Sequence, residues 1–81
     1  MNASTITELE MNEIFAQNLH FLRKSGVNPL SQKALARILK LSHKTISRYE
    51  AGRGMLSAHA VYLIASYFDY SVEEILTKKL F

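Results

Sequence analysis

The chain has no cysteine among its 81 residues, which excludes disulfides, thiolate nucleophiles and cysteine-ligated zinc. Tryptophan is missing, proline occurs once (Pro29) and glycine three times (Gly26, Gly52, Gly54). Strong breaks in regular structure are therefore confined to two short regions. No apolar run approaches the roughly 20 residues that a membrane span needs. The opening stretch MNASTITELEMNE lacks the basic start and apolar run of a secretory signal, so a soluble, cytoplasmic protein is expected. Sustained strand-type alternation is also missing. There is no glycine-rich phosphate loop, no HExxH and no convincing nucleophile–base pair. Ser47 and His43 stand one helical turn apart, a coincidence at this composition. His20, His43 and His59 lack metal-ligand spacing, and His20 and His59 read as surface or boundary residues. Neither an enzyme nor a bound metal or cofactor is expected.

Acidic residues are scarce in one place. Residues 23–53 hold Arg23, Lys24, Lys33, Arg37, Lys40, Lys44, Arg48 and Arg53 against a single acid, Glu50, a net of +7. The remainder of the chain carries −4, so the modest total of +3 hides a strong segregation. A basic third of this kind suits a polyanion.

Apolar content is 48%, enough for one modest core, and it recurs at helical spacing. The first helix is expected over about Asn12 to Ser25, with Phe15, Leu19 and Leu22 on one stripe. Thr7 and Glu10 have capping-box spacing and offer an earlier start. Gly26 suits a left-handed exit, and Gly26 to Leu30 reads as a loop. Ser31 is positioned to cap a second helix with Leu35, Ala36 and Leu39 inward. After a turn at Lys40 and Leu41, Ser42 caps a third helix running to about Glu50, with Ile46 and Tyr49 inward. Gly52 and Gly54 mark its exit. Ser57 opens a fourth helix with Val61, Ile64, Ala65 and Phe68 as its stripe. Ser71, with Glu74 three residues on, opens a fifth carrying Val72, Ile75 and Leu76. The expected fold is an all-α, five-helix bundle. Its domain spans 12–78, preceded by a segment 1–11 that is disordered or extends helix 1, and followed by a tail 79–81.

Two helices joined by about three residues have helix-turn-helix geometry. With Ile46 and Tyr49 inward, His43, Lys44, Ser47 and Arg48 share the opposite side of the third helix. Arg and Lys donate well to guanine O6 and N7. Lys33, Arg37, Lys40 and Arg53 add sequence-independent attraction to phosphate, and backbone amides at helix starts can bind phosphate directly. Glu50, if exposed on this surface, would repel DNA, so it is expected to face elsewhere.

The stretch SQKALARILKLSHKTISRYEAGRG resembles the helix-turn-helix of the phage repressor/Cro (XRE-like) family. The matching elements are Ser31-Gln32, Leu35-Ala36, Ser42, Thr45-Ile46-Ser47, Tyr49-Glu50 and Gly52, with Leu22-Arg23-Lys24 upstream. Downstream, Ile64-Ala65 and Ser71 to Leu76 also match. The resemblance implies a lambda-repressor-like DNA-binding domain that places its third helix in the major groove. His43, Lys44, Ser47 and Arg48 would then meet base edges. Gln32 and Ser42 would contact phosphate, Ser42 beside the base-reading residues. The resemblance also implies an ion pair between Arg23 and Glu50 across the first and third helices. The family commonly has glycine where this chain has Lys40, and a left-handed lysine there would cost about 1 kcal/mol.

The implied function is a sequence-specific double-stranded DNA-binding transcriptional regulator, most simply a repressor acting as a dimer on a palindromic operator. Leu63, Tyr67, Leu80 and Phe81 are the candidate dimer interface. The alternative is an antitoxin-type or adaptor module that binds a protein partner, a toxin or polymerase, through the apolar face of helices 4 and 5.

Overall fold

The computed structural model describes residues 6–81, which form five α-helices and no strand: α1 (Glu8–Lys24), α2 (Gln32–Leu39), α3 (His43–Glu50), α4 (Ala58–Tyr67) and α5 (Val72–Thr77). The first helix begins at Glu8, not Asn12. The reason is the earlier of the two start signals: Glu10 N–H donates to Thr7 Oγ1 at 3.1 Å, and Thr7 N–H donates to the Glu10 carboxylate at 2.9 Å. Hydrogen bonding to the Thr7 backbone and side chain holds the Glu10 carboxyl below its ordinary value. Glu8 and Glu10 also complement the positive end of the helix. Of the segment 1–11, residues 8–11 thus belong to α1, while residues 1–5 lie outside the described residues. Ser31, Ser42, Ser57 and Ser71 each cap the helix that follows, their hydroxyls accepting from the backbone three residues on.

Helix α1 packs on both α3 and α5, so it joins the two halves of the domain. Phe15, Leu19 and Leu22 of α1 bury against Leu35 and Ala36 of α2, Ile46 and Tyr49 of α3, Ala60, Val61, Ile64 and Ala65 of α4 and Ile75 of α5. The Phe15 ring meets the Tyr49 ring edge-on at 5.7 Å. Tyr49 is core with its polar end satisfied: its hydroxyl accepts from Ser57 N–H at 3.0 Å. Fully burying each large apolar side chain of this set contributes roughly 1.5–3 kcal/mol, and residues of α2 and α3 are among them. The orientation of that helix pair is therefore fixed by the core itself.

The turn between α2 and α3 places Lys40 in the left-handed region, at φ 58° and ψ 39°. Its N–H reaches Arg37 O and the next amide, of Leu41, reaches Ala36 O at 2.9 Å, which satisfies carbonyls that the helix end leaves open. Leu41 then turns into the core edge, and Ser42 starts α3. Asp69 adopts the same conformation, φ 65°, after α4.

Two buried residues among those described are polar or charged, Asn18 and Arg23. Asn18 is fully buried. Its Nδ2 donates to Ile75 O (2.8 Å) and Lys78 O (2.7 Å), and its Oδ1 accepts from Leu80 N–H at 2.9 Å. A single α1 side chain thus fastens the end of α5 and the tail 79–81 to the domain.

Candidate nucleic-acid interface

The outer side of α3 carries His43, Lys44 and Arg48 exposed and Ser47 half-buried. At helical spacing His43 and Arg48 sit on opposite flanks of Lys44 and Ser47. The His43 flank faces α2: His43 Nε2 lies 3.2 Å from Gln32 Oε1. The Arg48 flank faces the α3–α4 connection, where the guanidinium lies against Gly54. A Cβ at position 54 would stand 2.7 Å from Arg48 Nη2, and Gly54 has φ +78°. The left-handed conformation favours glycine there, and an added Cβ would have to push aside the guanidinium, the mobile end of an exposed side chain.

The helix starts add main-chain donors to this surface. Ser31 and Ser42 spend their hydroxyls on Ala34 N–H and Thr45 N–H, and Ser42 Oγ also bonds Thr45 Oγ1 at 2.8 Å. Ser42, expected to contact phosphate, has its hydroxyl engaged as a cap. The amides of Gln32, Lys33, His43 and Lys44 precede the first intrahelical bonds of α2 and α3 and remain available to an anion.

Charge on this face is unopposed. The only ion pairs among the described residues are those of Glu50 with Arg23 and with His20. Lys24, Lys33, Arg37, Lys40, Lys44, Arg48 and Arg53 are all exposed, so seven cations of the basic third meet solvent without an acidic partner. The single acid is turned inward. Arg23 Nε and Nη2 fork onto Glu50 Oε2 and Oε1 at 2.5 and 2.8 Å, with side-chain exposures of 9% and 6%. Arg23 Nη1 also donates to Leu30 O at 2.9 Å, and Leu30 N–H returns a bond to Arg23 O at 3.0 Å. One arginine therefore orients α3 and closes the loop that leads into α2.

Glu50 collects more than the arginine. Gln32 Nε2 donates to its Oε1 at 3.1 Å, and His20 Nδ1 lies 3.1 Å from the same oxygen. Burial pushes the Glu50 carboxyl up, but the hydrogen bonds from Arg23, Gln32 and His20, with the Arg23 charge, outweigh it, and the net shift is downward. Arg23 is pushed the other way, chiefly by its hydrogen bond to Glu50. His20 Nδ1 is also 3.3 Å from Arg23 Nη2. A protonated Nδ1 can serve Glu50 but cannot accept from Arg23, so these two contacts exclude each other.

Two members of this network were not legible as such. His20, which reads as a plain surface histidine, reaches the Glu50 carboxylate. Gln32, expected on phosphate, has its amide spanning Glu50 and His43, which leaves its backbone N–H as the group open to an anion. The other phosphate candidates, Lys33, Arg37, Lys40 and Arg53, are exposed on the same pair of helices and its exits.

The four residues of the candidate dimer interface have different surroundings. Leu63 and Leu80 are half-buried, Leu80 with its amide on Asn18. Tyr67 is exposed, edge-on to Phe68 at 5.0 Å. Phe81 is exposed and lies against Phe21 of α1 at 6.4 Å, where both rings line an open groove of about 750 Å³. No helix among the described residues is long and apolar enough to cross a membrane, and no cluster of potential metal ligands occurs among them.

A family profile described as helix-turn-helix matches residues 30–75, from the loop before α2 into α5. Comparison with curated proteins and with solved structures returned no match.

Proposed function

Because the chain belongs to the helix-turn-helix family of Cro/C1-like DNA-binding regulators, we propose that it is a sequence-specific repressor that lays α3 in the major groove of double-stranded DNA. His43, Lys44, Ser47 and Arg48 read base edges. Lys33, Arg37, Lys40 and Arg53, with the open amides at the starts of α2 and α3, hold phosphates on either side. The observation that carries this reading is the charge arrangement: seven exposed cations around the helix pair have no acidic partner, while the only acid of that segment is buried against Arg23. A helical adaptor has no use for that arrangement; a duplex with one negative charge per roughly 1.7 Å has.

The proposal includes a two-fold dimer on a palindromic operator, since a single short recognition helix reads few base pairs. Exposed Tyr62 and Tyr67 on α4 and the Phe21–Phe81 pair supply apolar surface for it.

Duplex affinity measured across a salt series tests the groove assignment. Lys33→Ala is expected to weaken all sequences alike and to lower the salt slope by about 1. Arg48→Ala is expected to relax preference at one position by about 1–3 kcal/mol. Indistinguishable behaviour of these two variants refutes the assignment, and a monomer mass both free and on DNA refutes the dimer.

A further inference from the structure

The hydrogen-bonding direction of the first residue of α3 is dictated from inside the protein. A carboxylate only accepts hydrogen bonds, and Glu50 is held as a carboxylate by the forked Arg23 guanidinium. The amide of Gln32 must therefore turn its nitrogen to Glu50, at 3.1 Å. Its oxygen is left facing His43, 3.2 Å from Nε2. An amide oxygen has no proton to offer, so the proton between them belongs to His43 Nε2. In a neutral imidazole the other nitrogen is then bare and can only accept. His43 Nδ1 has no partner among the described residues, and His43 is exposed at the first turn of α3.

We propose that Gln32, anchored by Glu50, is a positioning residue that fixes His43 as the Nε2–H tautomer and thereby makes His43 Nδ1 an acceptor for a major-groove donor. In the major groove the donors are the exocyclic amines of adenine N6 and cytosine N4, whereas guanine offers two acceptors, O6 and N7. His43 then selects adenine or cytosine on the strand it faces and disfavours guanine there. This is the opposite preference to that of Lys44 and Arg48, which can only donate. Beside the Ser47 hydroxyl, which can donate or accept, the recognition helix then carries one dedicated acceptor alongside the donors Lys44 and Arg48, and its site is mixed in composition instead of uniformly guanine-rich. The base-reading half of this proposal rests on α3 lying in the major groove; the tautomer half does not.

The two halves are tested separately. In the free protein, at a pH where the nitrogen shifts show a neutral His43 ring, nitrogen-15 spectra are expected to report a protonated Nε2. The Hε2 proton is expected to be visible through slow exchange, and to be lost in Gln32→Met. An Nδ1–H tautomer in the wild-type protein overturns the proposal without recourse to any variant. A Hε2 signal that survives Gln32→Met overturns the role given to Gln32. On DNA, random-site selection is expected to return adenine or cytosine at the position where His43→Ala abolishes discrimination. Gln32→Met is expected to reduce discrimination there by about fivefold while preserving the preference set by Arg48. Guanine at that position, or a Gln32→Met loss spread evenly over all sequences as a simple phosphate contact would give, overturns it. Failure to bind any duplex overturns the proposed function together with the base-reading half, and leaves the spectrum of the free protein to decide the tautomer.

Discussion

Replacing Glu50 by alanine removes the acceptor for four donors at once: Nε and Nη2 of Arg23, Nε2 of Gln32 and Nδ1 of His20. Arg23, buried at 8% exposure, keeps its bond to Leu30 O and the 3.3 Å contact with His20 Nδ1, but no anionic partner. Stranding one member of a buried pair costs about 3–5 kcal/mol, and the lower end applies because His20 at the rim is exposed and lets water approach. A domain of this length holds on the order of 4–12 kcal/mol, and each kcal/mol moves Tm by about 4–8 °C. Glu50→Ala is therefore expected to lower Tm by about 12–24 °C, read by circular dichroism and cross-checked by urea unfolding. The double variant Arg23→Met/Glu50→Leu removes both charges together and is expected to lose less than Glu50→Ala alone. Because the folded-state value of Glu50 is depressed, its contribution is fully present above the unfolded-state value of about 4.3. It disappears as pH falls through the lower folded-state value. The gap in stability between wild type and Glu50→Gln is thus expected to persist at neutral pH and to close in acid. A Glu50→Ala protein that melts with the wild type would refute the reasoning, as would a gap that widens on acidification.

Asn18→Leu is expected to cost about 2–3 kcal/mol, because three hydrogen bonds are lost and the carbonyls of Ile75 and Lys78 are left without their donor. Hydrogen exchange at the Leu80 amide is expected to accelerate more than at Leu19. Lys40→Gly relieves a left-handed residue at φ 58° and is expected to raise stability by about 0.5–1 kcal/mol in urea unfolding. Gly54→Ala meets both a positive φ and the Arg48 guanidinium. It is expected to displace that side chain and to weaken the base preference that Arg48→Ala removes, seen as overlapping effects of the two substitutions in a binding series.

Local chemistry was readable directly from the residues. Ser31, Ser42, Ser57 and Ser71 start helices where their hydroxyls are expected to, since a cap is decided within four residues of chain. The start of α1 carries two competing signals: the apolar stripe points to Asn12, and the Thr7–Glu10 box, which sets the observed start at Glu8, outweighs it. The left-handed Lys40 follows from its place in the turn between two capped helices, and Asp69 ends α4 in the same way. Asn18 was missed although a signal existed. It stands in the stripe with Phe15, Leu19 and Leu22, at a spacing where a polar residue must find buried partners. Those partners are backbone atoms nearly 60 residues away, which nothing in the local pattern names. The same limit applies to the interface. Which side chains share the outer side of α3 is a matter of helical period, but that Gln32 joins His43 to Glu50, and that His20 completes the carboxylate, depends on α1, α2 and α3 converging at one point.

On the proposed reading, α3 recognises specific base pairs in duplex DNA. Random-site selection with the wild-type chain at two salt concentrations, repeated with Arg48→Ala, tests it most directly. One enriched motif is expected, with two-fold symmetry and half-sites about one helical turn apart. Its information content is expected to fall at one position per half-site in Arg48→Ala, while affinity for all sequences drops with salt. A pool that never converges, or a motif that Arg48→Ala leaves intact, would contradict it.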